Sequence, residues 1–352
     1  MGRGSGQPRS LETGESLSKQ ENTGVIICAH GSRDTEAVAE FETFAEAMTR
    51  RLPDYEVAAG YLEFARPTIR EALDRLKARG AKRILALPAM LFAAGHVKND
   101  IPWELNSFAA ENPGVAVDCG RDLAVDARLL AAARARIEEA EAENPGPRED
   151  TLLVVVGRGT NDPDANSNVT KVTRMLWEGM GFGWAETAYS GVAHPRVPEA
   201  LARVAALGFS RVIVFPYFLF TGVLVKRIYA ETDAAAPAHG GIAFIKAKYL
   251  SDHPMVVETL ADRLNEILTG DNAMNCQLCK YREQVIGYER EQGKPQAGHH
   301  HHVRGIGVGE AAPGHDHDHD HSHEHSHDHG HDHEHPHEHR HASGAGARRG
   351  RD

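Results

Sequence analysis

The chain has 352 residues, 41% of them hydrophobic and 6% aromatic, and a formal net charge of -11. That acidic balance excludes a general nucleic-acid or membrane-surface binder, which needs a basic face. Only 4 Cys in this length exclude a disulfide framework, and the absence of an apolar run of about 18 residues excludes a spanning helix.

In chain order, residues 1–22 are rich in Gly, Ser, Glu and Gln and read as disordered. They lack the apolar segment of a secretory signal, so the expected location is cytoplasmic. Val25-Ile26-Ile27-Cys28-Ala29 is a short apolar run that ends at His30-Gly31-Ser32, as a buried parallel strand does. A helix is predicted over 34–51, with Phe41, Phe44, Ala45 and Met48 on one stripe. A strand over 56–62 follows, then a helix over 67–79 bounded by Pro67 and Gly80. Strand 84–87, helix 99–110, strand 115–119 and helix 126–142 complete a βα alternation, which indicates a parallel sheet. Asn144-Pro-Gly-Pro147 reads as a linker.

The second half then repeats the first at a shift of 128 residues. Between Tyr61–Lys98 and Tyr189–Lys226, 15 of 38 positions are identical. Pro67 matches Pro195, Gly80 matches Gly208, Pro88 matches Pro216, and Val97-Lys98 matches Val225-Lys226. A period this long means two copies of a whole domain. The expected architecture is α/β, with two duplicated lobes, each a parallel four-stranded sheet flanked by helices, and a cleft between them. The expected boundaries are 1–22 disordered, 23–147 first lobe carrying the site, 148–270 degenerate second lobe, 271–302 a Cys-containing segment, and 303–352 a His-rich tail.

A duplicated domain carries its own control. Fold positions should survive in both copies, while site positions are free to differ. His30, Glu63 and His96 of the first copy align with Arg158, Gly191 and Leu224 of the second, whereas Gly31 and Gly159 agree. All three residues follow predicted strands, and the carboxyl ends of strands line the ligand crevice of open α/β sheets. They are the candidate metal ligands and proton acceptors of the first lobe. Arg33, Arg66, Lys98 and Arg158, with Lys226 and Arg227, would make the cleft cationic within an acidic protein, as a polycarboxylate ligand requires.

These segments resemble a known family. Ala29-His30-Gly31-Ser32-Arg33, Leu62-Glu63-Phe64-Ala65-Arg66-Pro67-Thr68 and Leu87-Pro88-Ala89-Met90-Leu91-Phe92-Ala93-Ala94-Gly95-His96 look like the motifs of class II tetrapyrrole chelatases. The long, CbiX-type sirohydrochlorin cobaltochelatases are similar also in Gly157-Arg158-Gly159-Thr160, in Met274-Asn275-Cys276-Gln277-Leu278-Cys279 and in a His-rich end. The resemblance covers about residues 24–302. It implies a chelatase-like fold and insertion of Co2+ into sirohydrochlorin for cobalamin. His30 and His96 would hold the metal and take up the displaced protons, Glu63 would orient a His or accept a proton, and Arg33, Arg66, Lys98 and Arg158 would bind substrate. It implies sirohydrochlorin and a divalent metal as partners; the two lobes of one chain make a monomer adequate for the core, and a cluster shared across chains would make a homodimer.

Cys276-x-x-Cys279 suits a redox pair, half of a metal site or chance spacing, since two Cys cannot complete a zinc or iron–sulfur site. The resemblance implies an iron–sulfur cluster in some long members. Its other ligands would come from a second chain, from His299–His302, or from Cys28 and Cys119, which read instead as small hydrophobes buried in strands. Of 23 His, 18 lie between His299 and His341, and from His315 they alternate mostly with acids. The internal His299–His302 run followed by this second tract reads as a native metal-binding segment rather than a purification tag, for storage or local delivery, with nonspecific metal scavenging as the alternative. Iron or nickel chelation, and a non-enzymatic metal store, are the competing readings, because ligand affinity order does not select the metal.

Overall fold

A computed structural model describes residues 22–272. The N-terminal segment, Cys276, Cys279, His299–His302 and the His-rich tail lie outside the described residues.

The first repeat runs β1 (Thr23–Ala29), α1 (Thr35–Arg51), β2 (Glu56–Tyr61), α2 (Ile69–Ala78), β3 (Arg83–Pro88), α3 (Ile101–Glu111), β4 (Ala116–Cys119) and α4 (Ala127–Glu143). The second runs β5 (Thr151–Gly157), α5 (Pro163–Met180), β6 (Trp184–Tyr189), α6 (Val197–Ala205), β7 (Arg211–Pro216), α7 (Val223–Ala235), β8 (Ala243–Lys246) and α8 (Pro254–Thr269). Each repeat is one four-stranded sheet, ordered β2-β1-β3-β4 and β6-β5-β7-β8, with every pair parallel. The predicted shift holds: Thr23 becomes Thr151, Glu56 becomes Trp184 and Arg83 becomes Arg211, each 128 residues on.

Local chemistry explains the elements. The central strands β1 and β5 are buried along their full length, which requires uninterrupted apolar runs. Each fully buried Val, Leu or Ile there contributes about 1.5–3 kcal/mol over an exposed one. Asp34, Asp126 and Asp162 cap α1, α4 and α5 through their carboxylates. Thr68 and Glu71 form a reciprocal cap at α2.

The boundary at 147 separates the sheets but not the cores. Helix α8, from the second repeat, packs on α1 and β3 of the first; α4 packs on α5 of the second; and α4 and α8 pack on each other. The largest core cluster accordingly joins Phe41, Phe44 and Leu129 with Phe215, Leu260 and Leu264. Buried Arg263 of α8 fixes this exchange by donating to the carbonyl oxygens of Asp122 and Leu123 and to Asp126. The 23–147 and 148–270 lobes therefore interlock. Sequence periodicity shows that a helix has an apolar face, not which sheet that face covers. No helix among the described residues is long and apolar enough to cross a membrane.

Candidate metal centre

His30 directly follows β1, Glu63 follows β2 and His96 follows β3. Two of these loops are laced together. Glu63 N–H donates to the His30 carbonyl at 2.9 Å, and Leu62 N–H to that of Ala29 at 2.8 Å. Gly31 permits this approach: its φ is +95°, and a Cβ there would lie 1.8 Å from the Glu63 carbonyl oxygen. The third loop is held from below, where buried Asp122 accepts from Ala93 N–H at 3.0 Å. His96 then opens a single π-helical turn, His96–Asp100, that runs into α3. Such wide turns recur at functional sites. The sequence reading placed a plain loop and a helix start here, because a π turn has no period of its own to read.

The outcome is a three-residue cluster. One ligand atom each from His30, Glu63 and His96 lie within 4.8 Å of one another. The imidazole centroids are 4.7 Å apart at an interplanar angle of 70°. His96 Nδ1 sits 2.7 Å from Asp100 Oδ2, and the other Asp100 oxygen accepts from Asn99 at 2.9 Å. His30 Nδ1 sits 2.9 Å from the Gly31 carbonyl. Both acceptors require Nδ1–H, so in the neutral rings both Nε2 lone pairs are available to a metal. A carboxylate behind a ligating His fixes its ring and raises its basicity. Burial first, then the neighbouring His96 and Arg158, pushes His30 down to about 4, against weaker pulls from the Gly31 carbonyl and Glu63. At neutral pH it is therefore the uncharged, ligating form. Glu63 is buried at 4% exposure and brings one carboxylate to the site. Two imidazoles and a carboxylate with open positions suit a divalent metal that must leave again.

Known proteins match both repeats of the chain. The profile of the CbiX family matches residues 24–140 and 152–267, one match per repeat. The chain belongs to the CbiX family. A sirohydrochlorin cobaltochelatase of Priestia megaterium is 36% identical over 262 residues, 73% of this chain and 84% of the relative. A sirohydrochlorin ferrochelatase of the same organism is 31% identical over 247 residues, 70% of this chain and 90% of the relative. The structure of SirB from Bacillus subtilis with Fe3+ superposes with a TM-score of 0.64 at 25% identity, covering 72% of this chain and all (100%) of SirB.

In this CbiX protein the four expected substrate cations lie in different settings. Arg33 is exposed, its guanidinium 5.1 Å from the centre of the Phe64 ring. Arg66 is exposed, with Nε 3.7 Å from Glu71. Arg158 occupies the second-repeat counterpart of His30, and its charge acts on His30 although its side chain stays open to solvent. Lys98 departs from the expectation. Its side chain is 3% exposed, and its ammonium lies 2.7 Å from Asp162 and 3.0 Å from Asp164 of the other repeat. It ties the repeats together rather than lining the cleft as a cation. Lys226, its counterpart, does the same with Asp34 at 2.7 Å and Glu36 at 2.9 Å. These acids are themselves 128 residues apart in register, so both ties repeat by symmetry. The sequence comparison scored each lysine within its own repeat and therefore missed partners in the other.

Asp100 was also missed, although His96-x-x-x-Asp100 is an i, i+4 pair that a helix brings together. Cys28 and Cys119 are buried or half-buried. Burial pushes both thiols up, that of Cys119 to about 12, so neither offers a thiolate. Cys276 and Cys279 lie outside the described residues.

Proposed function

We propose that the protein inserts Co2+ into sirohydrochlorin at His30, Glu63 and His96. Membership of the CbiX family makes the chain a metal chelatase. The observation that carries the site assignment is the convergence of those three ligand atoms within 4.8 Å, with Asp100 behind His96. The metal is a substrate here, held by two imidazoles and a carboxylate with its remaining positions open to the tetrapyrrole nitrogens. Insertion exchanges one M2+ for two pyrrole N–H protons. As the metal passes to the macrocycle, His96 and Glu63 regain lone pairs that accept those protons. His30, kept neutral by its surroundings, serves as a ligand more than as a proton store. Arg33, Arg66 and Arg158 would receive substrate carboxylates. One chain supplies both repeats, which supports a monomer as the working unit.

Cobalt is favoured by the 36% identity to a cobaltochelatase, and iron is the second reading because the 31% relative is a ferrochelatase. The test is an anaerobic insertion assay on sirohydrochlorin with Co2+ and with Fe2+, using wild type and a His30→Ala, His96→Ala double variant. We expect a higher kcat/KM for Co2+ and a loss of about 10³-fold in the variant. A variant within twofold of wild type removes the cluster from the reaction. A higher kcat/KM for Fe2+ replaces cobalt by iron.

A further inference from the structure

The second repeat has lost a carboxylate and gained arginines around its place. In the 128-residue register, His30, Thr68 and Asn99 become Arg158, Arg196 and Arg227, while Glu63 becomes Gly191. Arg158 follows β5, Arg196 caps α6 and Arg227 lies in α7. A Cβ built on Gly191 would stand 3.5 Å from Arg227 Nη2 and 4.0 Å from Arg196 Nη1. Two guanidiniums thus converge on the spot from which the first repeat projects Glu63.

Their own partners leave that spot open to an anion. Arg227 donates to the Ser190 carbonyl, and to Ser190 Oγ at 3.3 Å. Glu231 faces both arginines, with an oxygen 4.0 Å from Arg227 Nε, and it is more strongly desolvated than an open carboxylate. The Nε–H of Arg196 is buried and has no hydrogen-bond partner. Buried donors normally find an acceptor, so this one marks a missing ligand atom. Beside it the surface turns apolar: Val192 is 47% and Val223 is 65% exposed.

We propose that Arg196 and Arg227, converging on Gly191, form a carboxylate subsite that anchors one acidic side chain of the tetrapyrrole on the second repeat. The forked guanidinium matches a carboxylate in two parallel hydrogen bonds. Glycine at 191 removes the internal carboxylate that would otherwise occupy the pair. Val192 and Val223 offer apolar support to the macrocycle beside it. The first repeat then handles the metal and the second holds the ring. The inference rests on sirohydrochlorin being the substrate.

The test titrates metal-free sirohydrochlorin into the full-length protein and follows the tetrapyrrole absorbance. The variants are Arg196→Gln with Arg227→Gln, Arg196→Lys with Arg227→Lys, and Gly191→Glu. The Gln pair should raise Kd about tenfold or more, the Lys pair should recover part of this, and Gly191→Glu should block the subsite from within. The methyl ester of sirohydrochlorin should bind wild type and the Gln pair alike. In the insertion assay the Gln pair should raise the tetrapyrrole KM in parallel, with kcat within about twofold. An unchanged Kd in the Gln pair overturns the subsite, as does an equal loss for the methyl ester, which would report a damaged fold. Wild type that binds through these arginines yet inserts no metal overturns the chelatase reading alone. Wild type that inserts metal with the Gln pair unaffected overturns the subsite alone.

Discussion

At the end of β1 the chain places His30, and at the end of β5, in the same register, it places Arg158. What the two repeats share is backbone. Gly31 and Gly159 both sit at positive φ with a carbonyl oxygen 1.8 Å from any added Cβ, so the paired loops above both sheets need them equally. What they do not share is chemistry. Glu63 becomes Gly191, His96 becomes Leu224, and Asp100 becomes Ile228, which is fully buried within α7. The π turn belongs to the first repeat alone among the described residues; the second continues as an ordinary helix. Duplication thus separated two demands. One copy holds the His30, Glu63 and His96 cluster, while the other has the same scaffold with Arg158, Gly191 and Leu224 in those places.

The two inter-repeat ties allow that comparison to be broken most severely. Lys98 and Lys226 are equivalent in sequence and in partners, but their side chains are 3% and 49% exposed. Lys98→Met leaves Asp162, at 1% exposure, buried without its counter-charge, which should cost about 3–5 kcal/mol. Lys226→Met removes a half-exposed ammonium whose pairing water already screens, and it should cost much less than Lys98→Met. Urea unfolding of the full-length protein reads both. Equal losses would mean that the repeats are tied symmetrically and that burial does not decide the outcome.

The next largest effect concerns the residue behind His96. Asp100→Asn keeps an oxygen acceptor for Nδ1–H but removes the charge that steadies the imidazole. Loss of such a carboxylate weakens metal affinity or activity by about 10–100-fold. The expected result is a raised KM for the metal in the insertion assay. A KM within twofold of wild type would show that the π turn, rather than Asp100, orients the ring.

The legible and illegible parts of the sequence divide along the same line. Apolar runs and their 128-residue echo located all the central strands, and the copy-to-copy differences picked out His30, Glu63 and His96. Those signals are local or compare like with like. Lys98 was misjudged because its partners sit in the other repeat, about 64 residues away in sequence. The exchange of α4 and α8 was invisible for the same reason, since an apolar face does not name the sheet it will cover. The His96–Asp100 pair was within reach of spacing alone. The chain around Cys276 and Cys279 lies beyond the described residues, and its cluster expectation stays where the sequence left it.

The smallest effect tests whether the first repeat alone carries an acid-sensitive group at the cleft. The ordinary His value is 6.5, and the folded protein holds His30 at about 4. Between these values the unfolded chain takes up a proton that the folded one refuses. Stability from this group is therefore whole above pH 6.5, falls as the pH drops through the window, and is fully lost below about 4. Arg158, at the equivalent place, stays charged throughout and adds no such slope. His30→Gln should make the fall in Tm from pH 7 to pH 5 smaller by about 2–4 °C. The measurement needs a chelator, because a bound metal would stabilise the wild type selectively. The same fall in both proteins would place the acid sensitivity elsewhere. Asp122 cannot substitute for His30 in this test, because its carboxyl is pushed up to about 6 and its contribution runs the opposite way with pH. A steeper fall in wild type than in the variant is then assignable to His30, the residue that the second copy exchanged for a permanent cation.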